Sequence, residues 1–272
     1  MESYRLKNIA IVILLLLNLF LLLLVLSESY GRHQAAHDLT EQTVALLEDN
    51  GISVSAALLK EETLPLPCAY ERDEGQEASF ARALLGEDAA YRSSGSSGTY
   101  TSALGTVSFR ANGAVALTMT GQSLRTDNCS SFALSHAPAH YELVQTEKTD
   151  TGEDVTLRPV IGGFPVYGAA LTFSFSDGCL AEVSGVFLAD APAQTSESSG
   201  SAALTKCAAA VHLMDDCNET GRVCNRITAI SVGYRLQSTA SVALLLSPVY
   251  QIDTNTYGYE VDAATGYVTL AR

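Results

Sequence analysis

Nineteen consecutive residues near the start of the chain, Asn8 to Leu26, carry no charge, and only Asn8 and Asn18 interrupt their apolar run. As a helix this run is about 28 Å long, enough for the hydrocarbon core of a bilayer. The pattern therefore predicts a single transmembrane anchor over residues 8–26. Arg5 and Lys7 precede it, so the positive-inside rule leaves a short cytoplasmic N-terminus and puts residues from about 27 onward outside. A cleaved signal peptide, cut after Ser27, is the alternative; the run is long for a signal and stays apolar to its end. Asn18 is the one residue of the span singled out as a contact, because a carboxamide in hydrocarbon gains by bonding to a partner's helix.

Beyond a polar stalk at 27–36 the periodicity switches between helix and strand. Asp38 with Glu41 reads as a capping box for a helix whose Leu39, Thr43, Leu46 and Leu47 share a face, with Gly51 as its stop. Ile52 to Leu59 reads as a strand. Asp73 with Gln76 opens a second helix that carries Phe80, Leu84 and Leu85 inward and stops at Gly86. Ser93 to Gly98, SSGSSG, reads as a flexible loop.

Asn112-Gly113 joins the β-rich runs 106–110 and 114–119, and Asp177-Gly178 joins 166–176 to 180–188; both read as hairpins with positive φ at the two central residues. A short helix is expected within 137–147 and a strand at 155–160. A linker spans 189–201, and a third amphipathic helix spans 202–216, with Leu204, Cys207, Ala208 and Val211 on its apolar side. Alternating Ile230, Val232 and Tyr234, the run 242–246, residues 249–253, and Tyr257, Tyr259 and Val261 read as strands. A turn at 263–266 leads to a last strand at 267–270.

These elements predict an α+β fold. One transmembrane helix is followed by an extracytoplasmic region of two small lobes, each an antiparallel sheet plus helix. The expected division is 1–36 (cytoplasmic start, anchor and stalk), 37–135 (N-terminal lobe) and 136–272 (C-terminal lobe). The net charge of −14 argues against nucleic acid and anionic lipid surfaces as partners. The membrane enters only through residues 8–26, and oligomeric state is not legible.

Six cysteines are too few for a disulfide-built domain, but Cys217 and Cys224 flank a short loop and are the favoured pair. His136 and His140 have helical metal spacing, as do His33 and His37, yet Pro138 lies inside the first pair and no acid completes a site. Asp215 and Asp216 are adjacent and point apart on a helix. Phosphate-loop, dinucleotide and nucleophile-elbow motifs are missing from the sequence. No catalytic, cofactor-binding or metal-ligating residues are therefore assigned, and the chain is read as a non-enzyme.

The runs "ITAISVGYR", "LLLSPVYQIDT" and "YGYEVDAATGYV", the hairpin "GFPVYGAALTFSFSDGCL" and the anchor together resemble the YycI/YycH family. The closing "YEVDAATGYV" is similar, more broadly, to PepSY-type domains. The chain departs from the family at Tyr250, where an aromatic Trp is expected after Pro248-Val. The resemblance covers the anchor and roughly residues 155–270. It implies a single-pass regulator of Gram-positive bacteria that modulates a sensor histidine kinase of a two-component system by contact. The alternative it leaves open is a PepSY-like extracytoplasmic module that inhibits a protease or holds a peptide.

Overall fold

The computed structural model describes residues 37–70, 72–121, 124–190, 194–195, 203–238 and 244–271. The expected anchor at 8–26, Asn18 within it, the stalk and His33 lie outside those residues. No described helix is long and apolar enough to cross a membrane.

The described chain is a mixed α+β structure with four helices and a large, mainly antiparallel set of strands. Helix α1 covers residues 37–49. Its Thr43 and Leu47 turn inward, but Leu39 and Leu46 stay exposed. The strand expected at 52–59 is replaced by a bridge from Ser53 to Arg226 followed by turns. Ile52 and Leu59 are buried all the same. Their apolarity serves a core contact, which requires no ladder of backbone hydrogen bonds.

Strand β1 (Cys68–Tyr70) leads into helix α2 (Glu74–Leu85). Asp73 caps α2 through bonds from the Gly75 and Gln76 N–H groups, and Phe80, Leu84 and Leu85 are buried as the sequence predicts. Then follow β2 (Ala90–Ser94), β3 (Ser97–Ser102), β4 (Gly105–Phe109) and β5 (Ala114–Met119). The serine-glycine run is no open loop: Ser93 pairs with Gly98 and Ser94 with Ser97 across the β2–β3 turn.

Helix α3 (Cys129–His136), capped by Asn128, precedes β6 (Tyr141–Lys148), so the helix expected within 137–147 is a strand. Pro138 cannot continue α3, and the segment after it gains more by pairing with the neighbouring strand β7 (Gly152–Ile161). Next come β8 (Phe164–Tyr167), β9 (Leu171–Ser176), β10 (Cys179–Val186) and the short β11 (Gln194–Thr195). Helix α4 (Lys206–Thr220) begins at a Thr205 cap and extends past Asp215 and Asp216 to Gly221. Four strands close the chain: β12 (Ile227–Ser238), β13 (Leu244–Thr254), β14 (Gly258–Asp262) and β15 (Val268–Leu270).

Both expected hairpins form, by different turns. Asp177 and Gly178 both have positive φ, as a two-residue turn of the mirror-image type requires. At the other hairpin only Gly113 does, and its N–H bonds the Arg110 carbonyl. That is a three-residue loop closed by one left-handed residue, the next commonest solution.

Strands β2, β3, β4, β5, β10, β9, β7 and β6 lie side by side in that order, all antiparallel. β5 and β10 pair from Thr118–Glu182 to Ala114–Val186, so the division expected at residue 135 runs through one continuous sheet. Helices α2 and α3 cover it, and Phe109, Leu117, Leu157, Leu171, Phe173 and Phe80 fill the core. A second core joins α1 and α4 to Ile230, Tyr250, Ile252, Tyr259 and Val261. Its members come from both ends of the described chain.

β12 and β13 fuse the two cores. Tyr234, Leu244 and Leu246 belong to the first, whereas Val232, Tyr250 and Ile252 belong to the second. On the edge of β13 away from β12 the partner changes at Pro248: β1 pairs with residues 244–246 and β14 with 249–253. Residues Tyr234 and Arg235 of β12 also pair in parallel with Val166 and Tyr167 of β8, which joins the two sheets through β7.

Candidate functional site

Helix α4 packs across β13, β14 and β15 on one face of the second sheet, where Tyr250, Ile252, Tyr259 and Val261 point. Alternation then sends the intervening residues to the opposite face. They are polar. Ser231, Gln251, Glu260 and Thr269 stand in direct cross-strand register and form a polar row over four strands. Between this row and strands β7 and β8 lies a cleft of about 500 Å³. It is lined by Arg158, Tyr167, Ser231, Gln251, Asp253 and Glu260, among others.

Tyr167 of β8 joins two other lining residues of the cleft. Its hydroxyl lies 3.0 Å from the Ser231 hydroxyl, and the Arg158 guanidinium carbon sits 5.4 Å from its ring centroid. The ring has room because position 233 is glycine. A Cβ there would stand 2.5 Å from Tyr167 Cε2 and 2.6 Å from the Pro165 carbonyl oxygen. Burial pushes the Tyr167 hydroxyl upward, with the Ser231 bond and Arg158 acting against it.

Glu260 is only 8% exposed. Burial raises its carboxyl above the usual range, and Arg235, with its Nε 3.4 Å from Glu260 Oε2, offsets this in part. A raised carboxyl is bound to its proton more tightly in the folded chain than in the unfolded one. Its favourable contribution is therefore full below the unfolded value and is lost as pH rises through the folded one. Gln251 Nε2 donates to Asp253 Oδ1 at 3.3 Å, while Gln251 Oε1 and Arg158 Nε are buried with no partner among the described residues.

Val144 of β6, which is 47% exposed, also lines the cleft. Among the described residues β6 pairs with β7 alone, and every residue after Tyr141 is exposed. Val144 is itself a bulge in that pairing, lying between the registers of Leu143 and Gln145.

The residues singled out from the sequence lie elsewhere. His136 stacks on Phe132, and its Nδ1 lies 2.9 Å from the Phe132 carbonyl oxygen. His140 instead meets Asp190, 2.5 Å from Nδ1 to Oδ1. Burial raises the Asp190 carboxyl, but His140 and the Ala139 N–H outweigh it, and the group is held below the usual carboxylate range. This contact ties the exit of β10 to the start of β6. Among the described residues no group of three or more His, Cys, Asp or Glu is placed to hold a metal.

All six cysteines are thiols. Of the favoured pair, Cys217 at the end of α4 and Cys224 before β12 are both buried in the second core, which Tyr259 shares. Burial raises both thiols and drives the Tyr259 hydroxyl up to about 12. In an oxidising compartment these two are expected to close into a disulfide. Arg222 lies between them, so trypsin cuts the intervening backbone. Mass spectrometry should then find the Cys217 and Cys224 peptides joined under non-reducing conditions. Alkylation of all six thiols would refute the pairing.

The sequence reading missed every residue of the cleft. The signal was present as the complement of the strand pattern. Where Ile230, Val232 and Tyr234 alternate inward, Ser231, Gly233 and Arg235 must alternate outward.

No family model matches the chain, and no curated protein does. Among solved structures it is similar to an uncharacterized protein from Eubacterium rectale. That match has a TM-score of 0.42 and 10% identity, over 77% of this chain and 82% of the other. It is similar to the C-terminal domain of YpeB from Bacillus megaterium, with a TM-score of 0.37 and 12% identity, over 75% of this chain and 99% of that domain. It is also similar to YycH from Bacillus subtilis, with a TM-score of 0.36 and 13% identity. That match covers 76% of this chain and about half, 53%, of YycH.

Proposed function

We propose that the chain is a membrane-tethered extracytoplasmic module, without catalytic activity of its own, that acts on a partner protein by contact. Residues 8–26 hold it at the membrane, and the partner is a sensor histidine kinase of a two-component system, as the family resemblance of its sequence implies. The observation that carries this reading is the free edge of β6. It is eight residues long, presents exposed Leu143 and Val144, and has no strand beside it among the described residues. An unpaired edge offers a row of N–H and C=O groups to an extended segment of another chain.

The local charge narrows the partner. Glu142, Glu147, Asp150, Glu153 and Asp154 of the β6–β7 hairpin outnumber Lys148 and Arg158. A neutral or basic segment is favoured there on electrostatic grounds. Such contact changes signalling only if it favours one state of the partner over the other. The same edge also suits the second reading, a PepSY-like module that holds a peptide or inhibits a protease, because peptides and inhibited proteases both dock by strand addition.

A photoreactive residue in place of Val144, and separately of Asn18, tests both readings in living cells. Crosslinks from both positions to one histidine kinase are the expected result. Crosslinks from Val144 to a protease, with none to a kinase, would replace the kinase reading with the second one. No adduct from either position would overturn regulation by contact.

A further inference from the structure

The polar cleft has hydrogen-bonding capacity that its own residues leave unused. Arg158 has no ion-pair partner among the described residues, although Glu142 stands opposite it across β6. Its Nε is shut away from solvent without an acceptor among the described residues. Gln251 Oε1 is enclosed without a donor among the described residues. Glu260 is buried, and among the described residues it pairs with Arg235. Orphaned buried groups cost free energy that a ligand recovers by completing them.

The sign of the cleft also matters. Arg158, Asp253 and Glu260 line it, and Glu260 is already paired with Arg235, so one charge of each sign is left for a ligand. A simple anion gains at Arg158 and loses at the carboxylates, and a simple cation does the reverse. A molecule with one charge of each sign gains at both. The cleft volume, about 500 Å³, falls in the range of about 300–1,000 Å³ typical of ligand sites.

We propose that this cleft binds a short peptide with free termini, its carboxylate on Arg158 and its ammonium group toward Asp253 and Glu260. Internal amides of the peptide complete Gln251, and Tyr167 walls the site behind Arg158. The assignment goes beyond contact with a kinase: it gives the module a soluble ligand of its own, adjacent to the β6 edge.

The full chain in nanodiscs, mixed with an equimolar library of tripeptides and examined by native mass spectrometry, tests the assignment. Tripeptides with free termini should be retained. N-acetylation and C-amidation should each lower retention about tenfold, the loss of one charge-assisted hydrogen bond. Arg158→Gln should abolish the preference for a free carboxylate, and Glu260→Gln should weaken the preference for a free amine. Retention of no library member, equal retention of the blocked forms, or equal displacement by single amino acids would each overturn it. The comparison of free and blocked peptides on the unaltered chain stands even if a variant fails to fold. Loss of this site would leave the Val144 crosslink intact, so the two ideas fail separately.

Discussion

Gly233→Ala is expected to lower the melting temperature by about 6–12 °C, from a cost of about 3 kcal/mol at roughly 2–4 °C per kcal/mol for a domain of this size. The added methyl would lie 2.5 Å from the Tyr167 ring and 2.6 Å from the Pro165 carbonyl oxygen. The ring can rotate away, but Pro165 belongs to the backbone of β8, and β8 is held to β12 at Tyr234–Val166 and Arg235–Tyr167. Relief therefore requires the two sheets to separate at their junction. Because Tyr167 also walls the cleft, the substitution should move the phenol off Ser231 as it destabilises the fold. Differential scanning calorimetry of the full chain checks the first effect. A melting temperature unchanged within 2 °C, well below the roughly 6–12 °C drop, would mean that β8 does not lie against β12 as described.

Tyr141→Phe should cost about 2 kcal/mol. Its hydroxyl is a two-way tie: it accepts from the Leu188 N–H at 2.9 Å and donates to the Val186 carbonyl at 2.7 Å. Tyr141 and Leu188 are buried, so removing one oxygen orphans a donor and an acceptor where water does not replace it. Burial also pushes the Tyr141 hydroxyl well above its ordinary range, so it stays protonated and able to donate under ordinary conditions. Tyr234→Phe is the matched control. It loses a single bond, to the carbonyl of the exposed Leu66, and the freed carbonyl can turn to water. Chemical denaturation should rank Tyr141→Phe at more than twice the loss of Tyr234→Phe. Equal losses would show that the Leu188 N–H finds another partner.

The pieces of the chain that act through their nearest neighbours were legible without a structure. Helix α2 needs Asp73 at its cap and apolar residues spaced at three and four, all within one stretch. The Asp177-Gly178 hairpin needs two residues tolerant of positive φ between β-rich runs. Helix α4 ends at Gly221 because that residue takes the left-handed conformation that stops a helix. Such features are encoded locally, and short-range sterics and capping decide them.

Where two patterns compete, local reading failed. Residues 137–147 carry enough Leu, Glu and Gln for a helix, but β7 offers the segment from Tyr141 onward backbone partners along one edge. The serine-glycine run 93–98 has little intrinsic order, yet the register of β3 on β4 closes it into a hairpin.

By itself the sequence determined an α+β chain with a membrane-length apolar run at its start, an acidic exterior, the hairpins and the helix caps. Only the tertiary structure decided which strands share a core. The 37–59 segment packs with α4 and the closing strands, and β10 pairs with β5 across the expected boundary. The cleft belongs wholly to that second category. Arg158, Tyr167, Ser231, Gln251, Asp253 and Glu260 come from five strands and span about a hundred residues of sequence. Alternation along each strand says that such residues face outward, but it does not say onto what. Their convergence depends on β8 joining β12 in parallel and on Gly233 leaving space for the Tyr167 ring, and both are long-range contacts that no local pattern encodes.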